Sequence, residues 1–327
     1  MNTEGIIYKM RAQKKEEEYM SCEKFEIFDC TIRDGGFLNN WYFGLEFCRE
    51  FVYALSTAGI RFVEMGYLTK DGIFDKNKFG PFRFINESLV RKLISGIDII
   101  PCAMMEVGRY EVADIVDSSQ SVIKAIRVAA YWTQLEEALL ICSTLKSKGY
   151  FVCLNLVNVS QLNPKTLVSS LKSVSHINVD VVYIVDTFGA LYPHDIEWLF
   201  SVFSESLPNK KIGLHSHNNL QLSFYNSLKA VEIGINFVDC TLNGIGRGVG
   251  NCNLELLMMA LKKPRYDVKP LLRFIDKWKD EIPQLPTYDL RYLITATNNV
   301  HHKEINHHNH KGLLEFYENI KVIGVKS

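Results

Sequence analysis

Residues Val179–His217 read VDVVYIVDTFGALYPHDIEWLFSVFSESLPNKKIGLHSH. The stretch opens on an apolar, β-branched run (VDVVYIVD), continues with apolar residues at helical spacing (DIEWLFSVFSES) and ends on a second apolar run (KIGLHSH). That order is strand, helix, strand, with strands apolar enough to be buried on both faces. The same alternation extends to both sides. Strand-like runs begin at Phe25 (FEIFDCTI), Ile60 (IRFVEMGYL), Ile97 (IDIIPCAMM), Val122 (VIKAIRVAA), Tyr150 (YFVCLNLV) and Ile235 (INFVDCTL). Between most of them lie helical patterns, and GLEFCREFVYALSTAG, TQLEEALLICSTLKSKG and LSFYNSLKAVEIG each close on a glycine, the usual helix terminator. Eight strand-then-helix units predict an α/β fold, a (β/α)8 TIM barrel with a short helical C-terminal extension. A doubly wound sheet would instead carry G-x-G-x-x-G after its first strand, where this chain has DCTIRDGGFLNN. The expected division is a flexible, charged N-terminal extension over 1–22, the barrel over 23–262 and helices over 263–327.

The bulk composition narrows the function classes. The chain has 327 residues, 47% of them hydrophobic, enough for a sizeable core. Lys plus Arg and Asp plus Glu are equal at 37 each, so no net field draws nucleic acid or an anionic membrane. No apolar run has the length of a bilayer span, and the charged N-terminus does not read as a signal peptide, so a cytoplasmic protein is expected. The 8 cysteines form no C-x-x-C pair and several lie inside apolar runs such as FVCLNL; they read as buried, reduced thiols.

In a barrel of this kind, reactive side chains stand at the C-terminal ends of strands and in the loops just beyond. Arg33, Asp34, Glu64, Glu106, Arg127, Asn155, Asn158, Asp186, Thr187, His215, His217, Asn243, Arg247 and Asn251 fall there. The same positions also suit ordinary helix-capping residues, a reading that stays open for Asn158 and for Asp186 with Thr187. His215 and His217 are two apart, so on a strand both imidazoles point one way. A lone H-x-H also occurs on ordinary loops. With Asp34 at the top of strand one, next to strand eight in a closed barrel, the pair becomes a two-histidine, one-carboxylate set suited to a divalent ion. Asn251 can add a neutral oxygen, and Arg33 a cation for a developing negative oxygen. The histidines of HHKEINHHNH (His301, His302, His307, His308, His310) read mainly as a solvated connection.

DCTIRDGG (29–36), FVEMG (62–66), LHSHNN (214–219) and LNGIGRGVGNCNLE (242–255) occur in this order. Together they resemble the DRE-TIM metallolyase superfamily, the group of hydroxymethylglutaryl-CoA lyase, isopropylmalate and homocitrate synthases and 4-hydroxy-2-oxovalerate aldolase. The resemblance covers roughly residues 25–262. It implies that Asp34, His215 and His217 bind a divalent metal, with Mn²⁺ first and Mg²⁺ or Zn²⁺ as alternatives. It implies Asn251 as a further neighbour of the ion, and Arg33 as a catalytic cation held by Glu64 through an ion pair. RDGGFLNNW (33–41) looks closest to the 4-hydroxy-2-oxovalerate aldolase-like proteins, whereas condensing synthases usually carry R-D-G-E-Q. The biotin-dependent carboxyltransferases use a modified lysine that CLNLVNVS lacks.

The implied reaction cleaves or forms a C–C bond next to a small 2-oxo acid through a pyruvate-like enolate. One departure stands out: the aldolases place a basic His two positions after the R-D-G glycine, and here that position is Phe37. Tyr288 and Tyr292, whose spacing resembles a tyrosine-bearing segment of those aldolases, His301 and a hydroxide on the metal are the candidate replacements. The tyrosines can equally be helix packing. The alternatives to a lyase are a Claisen-type acyl-CoA condensing transferase and a non-catalytic barrel serving as a binding or assembly subunit. Among partners, a homodimer through the C-terminal extension is the expectation, and the aldehyde dehydrogenase of the two-subunit aldolases stays open.

Overall fold

The computed structural model describes residues 25–261, 264–286, 288–308 and 312–326; the expected extension over 1–22 lies outside them. Eight strands, β1 (Glu26–Asp29), β2 (Phe62–Leu68), β3 (Ile100–Glu106), β4 (Ala125–Tyr131), β5 (Phe151–Val157), β6 (Val181–Asp186), β7 (Lys211–Ser216) and β8 (Phe237–Cys240), pair in parallel in sequence order. The ring closes where Asp29 of β1 sits opposite Cys240 of β8. Closure removes both sheet edges, and the continuous apolar runs follow because each strand is covered by side chains inside and helices outside.

The outer layer contains α1 (Thr31–Asn39), α2 (Leu45–Thr57), α3 (Glu87–Ile94), α4 (Leu135–Ser147), α5 (Pro164–Ser175), α6 (Pro193–Ser206), α7 (Ser223–Ile233) and α8 (Leu254–Leu261). The strand-then-helix alternation fails once: a loop with one short 3₁₀ turn at Val112–Asp114 joins β3 to β4. VGRYEVADIVDSSQS has no sustained apolar repeat that would give a helix a face to bury. This loop brings Gly108 and Arg109 to the barrel mouth.

Two motif glycines have local explanations. Gly66 lies at φ +139° where the β2–β3 register shifts, a bulge, and a Cβ there would stand 2.1 Å from the Phe82 carbonyl oxygen. Asn40 and Trp41 both take left-handed backbone after α1, folding the Trp41 indole back so that its Nε1 donates to the Arg33 carbonyl at 2.8 Å. A Cβ on Gly36 would meet that indole at 2.2 Å. The R-D-G-G and N-N-W elements are therefore two halves of one contact.

The C-terminal extension is helical: α9 (Lys269–Trp278), α10 (Leu290–Thr297), α11 (Glu304–His308) and α12 (Leu313–Lys326). α9 packs outside the barrel on α2, with Phe274 centred 5.0 Å from Phe47 and 5.2 Å from Phe51. Val300, Phe316 and Ile320 form a small separate core. Asn299 ties it to the barrel, accepting from Ser160 Oγ at 2.7 Å and donating to the Ser160 carbonyl at 2.9 Å. No described helix is long and apolar enough to cross a membrane. The described cysteines are free and buried.

Candidate active site

A cavity of about 360 Å³ opens at the C-terminal mouth of the strands. Its floor is built by residues from the first βα connection and from the end of β7. Arg33 and Asp34 lie in the first turns of α1, not on β1 itself, and both are buried. His215 is on β7 and His217 one residue past its end. Asp34, His215 and His217 each offer a ligand atom, and these atoms lie within 4.8 Å of one another.

The charges are held from below. Arg33 Nε donates to Glu64 Oε2 at 2.8 Å and its Nη1 to Asp34 Oδ1 at 2.7 Å. Burial works to raise the Asp34 pKa, but Arg33, His217 and His215 outweigh it and keep this carboxyl ionised well below the usual range. Burial, against the pull of Asp34, pushes His217 down to about 3, so its imidazole is neutral and its lone pair free. Asp239 on β8 is buried, yet Arg127 and His215 hold its pKa low. As a carboxylate it only accepts, so His215 Nδ1, 2.9 Å away, carries the proton and leaves Nε2 as a donor atom for an ion.

Asn251 Nδ2 donates to Asp34 Oδ2, while its Oδ1 is buried without a hydrogen-bond partner. An orphaned acceptor, two imidazoles and one carboxylate form a donor set that fits a divalent cation. The residues fit the ion.

Among the candidate bases, His301 lines the cavity. The structure does not bring Tyr288 there: it is 58% exposed on the segment before α10. Tyr292 is also off the cavity. Its ring fills the space over Gly248, where a Cβ would approach to 2.3 Å, and lies 6.2 Å from that of His302. Tyr292 is packing behind the wall. Phe37 is in the wall with the Arg247 guanidinium centred 4.0 Å over its ring. His307 and His308 join neither of the described candidate donor clusters, and His310 lies outside the described residues.

Sequence reasoning missed Asp239 and gave Arg127 no role. Arg127 is fully buried, bonding Asp239 Oδ2, Glu64 Oε2 at 3.4 Å and Cys30 Sγ at 3.1 Å, between the faces of Phe28 and Tyr183. The signal for both was a charged residue inside an apolar barrel strand, which requires a partner in the interior. Asp186, read as a cap or a site residue, braces its own loop by accepting from the Ala190 amide at 2.9 Å; Thr187 and Asn155 line the cavity.

Fold and floor together define a TIM barrel with a candidate metal centre at the mouth where such barrels carry their chemistry. The chain belongs to the HMGL-like family, whose model matches residues 24–279. It is similar to an oxaloacetate decarboxylase of Mycobacterium tuberculosis, with 30% identity over 72% of this chain and 70% of that protein. It is also similar to a 4-hydroxy-2-oxovalerate aldolase of Thermus thermophilus, with 30% identity over 75% of this chain and 72% of that one. Among solved structures, the N-terminal domain of a Bacteroides vulgatus protein superposes with a TM-score of 0.75 at 26% identity, covering 88% of this chain and 97% of that domain.

Proposed function

We propose that this protein is a divalent-metal-dependent carbon–carbon lyase that cleaves a 4-hydroxy-2-oxo acid to pyruvate and an aldehyde, or runs the reverse addition. The observation that carries the reading is the Asp34–His215–His217 cluster beside an Arg33 held by Glu64, on the floor of one cavity. The names of the relatives, an aldolase and a 2-oxo-acid decarboxylase, support it. Asp34, His215 and His217 would hold the ion with Asn251 beside them; Mn²⁺ is the first candidate, and Mg²⁺ and Zn²⁺ are the others. The bound ion supplies Lewis acidity to a 2-oxo acid's keto oxygen.

Arg33 stands where negative charge builds when the C3–C4 bond breaks and its electron pair moves onto the C2 oxygen. Glu64 fixes the guanidinium in one orientation, so little reorganisation is needed as that charge appears. His301 accepts the 4-hydroxyl proton as C4 becomes the aldehyde carbon. Burial, with Arg247 and Lys303, pushes its pKa down to about 4, so it is neutral at pH 7. Its Nδ1 accepts from the Lys303 amide at 3.0 Å, so Nε2 carries the proton and Nδ1 has to exchange that amide for the substrate hydroxyl to act as the base. Self-association through the extension belongs to the same reading, supported by exposed Leu313, Leu314 and Val322 on α12.

Oxaloacetate decarboxylation tests the core of this proposal, because it needs the stabilised enolate but no base at His301. Ion-loaded protein is expected to exceed the same concentration of free ion, and chelation to abolish the excess. No excess from protein carrying a stoichiometric ion overturns the reading. His301→Ala is expected to lower aldol cleavage by about 10²-fold or more, and to lower it far more than decarboxylation. Equal loss in both reactions would remove His301 from the role of base.

A further inference from the structure

Three arginines line the cavity: Arg33, Arg109 and Arg247. Arg33 is matched by Asp34 and Glu64. Arg109 is matched by Glu106, 2.6 Å away. Arg247 has no carboxylate within ion-pair distance among the described residues; the groups against its guanidinium, His302 and Phe37, are neutral. Its Nη1 is 3.2 Å from His302 Nε2, and its guanidinium carbon stands 4.0 Å over the centre of the Phe37 ring. His302 is neutral because burial and Arg247 itself push its pKa down to about 2. The guanidinium is thus braced on one face by an aromatic ring and at one edge by an imidazole, with its positive charge unanswered.

The position is informative. Arg247 follows Gly246, where a Cβ would stand 2.8 Å from Asp34 Oδ2. On its other side, it is close enough to His301 to depress that group's pKa. Phe37, at the position where the motif resemblance expects a base, serves instead as the platform for this arginine.

We propose that Arg247 binds a second, distal carboxylate of the substrate, so that the aldehyde half is a semialdehyde acid and the full substrate a 4-hydroxy-2-oxo diacid. This deepens the aldolase reading and rests on it. The 2-oxo acid end lies at Arg33, the 4-hydroxyl at His301, and the far carboxylate at Arg247. A guanidinium presents a planar fork that matches a carboxylate in two parallel hydrogen bonds, and one unmatched positive charge calls for one negative charge.

Calorimetric binding to the ion-loaded protein tests this without turnover, using 2-oxoheptanedioate against 2-oxoheptanoate, the same chain ending in a methyl group. The diacid is expected to bind at least about 10-fold tighter, consistent with one charge-assisted hydrogen-bonded pair. Arg247→Met should bring the two within about two-fold of each other, and Arg247→Lys should retain part of the preference. In a parallel assay, pyruvate should add to succinic semialdehyde in preference to butanal.

Equal binding of the two acids by the wild type, or a preference that survives Arg247→Met and disappears in Arg109→Met, overturns the assignment. The aldolase reading is read separately, by exchange of the pyruvate C3 protons with deuterated solvent. Exchange without a diacid preference defeats the Arg247 proposal alone; a diacid preference without exchange leaves Arg247 as the carboxylate site and defeats the aldolase reading.

Discussion

Asp34→Asn is expected to lower oxaloacetate decarboxylation by on the order of 10³-fold and to eliminate tight divalent-ion binding, with the fold retained. The side chain keeps its size, so the argument concerns charge alone. Asp34 contributes the only anionic atom of the candidate ligand trio, and the same carboxylate receives Arg33 Nη1 and Asn251 Nδ2. An amide at this position cannot answer both donors and a cation. Arg33 would be left with Glu64 as its single anionic partner and would turn toward it, away from the keto oxygen it is placed to stabilise. Metal analysis after gel filtration and pyruvate release coupled to lactate dehydrogenase read the two effects, with circular dichroism as the control for folding. Activity within about ten-fold of wild type and an unchanged ion content would sink the assignment of the trio.

The barrel was legible because parallel strands covered on both faces leave continuous apolar runs, and glycine stops at Gly59, Gly149 and Gly234 separate them from helices. The floor was legible for a related reason. Strands deliver side chains in fixed directions, so His215 and His217 had to converge, and closure of the ring had to bring Asp34 beside them. The rest depended on contacts between residues remote in sequence. Nothing local in HHKEINHHNH says that Asn299 is tied to Ser160, which sets His301 into the mouth. The polarity of the segment suggested a solvated connection, and burial of its two leading imidazoles came from tertiary packing. Tyr288 and Tyr292 show the converse. Their Y-x-x-x-Y spacing was clear, but α10 starts at Leu290, so Tyr288 lies on the segment before it, out in solvent. Asp239 and Arg127 sit in apolar runs where the charge itself was the clue, but their pairing spans 112 residues.

Arg127→Met is expected to destabilise the protein by about 3–5 kcal/mol, the cost of leaving buried charge without its partner. Arg127 is fully buried and answers two carboxylates, Glu64 and Asp239. Methionine fills much of the volume and can lie between Phe28 and Tyr183, so a cavity contributes little; the uncompensated carboxylates contribute most. Denaturant midpoints separate these terms. Adding Asp239→Asn to Arg127→Met is expected to recover part of the loss, because one buried charge is then gone, whereas a packing defect would be left unchanged or made worse. A loss below about 1 kcal/mol for Arg127→Met alone would show that solvent or protonation already compensates those carboxylates. The pairing also joins the two halves of the floor. Glu64 fixes Arg33, and Asp239 fixes the tautomer of His215, so one guanidinium orients both the cation that faces the substrate and an imidazole that faces the ion. Even in partly folded Arg127→Met, the two supports can drift independently, and ion affinity should fall together with decarboxylation although the substituted residue touches neither substrate nor ion.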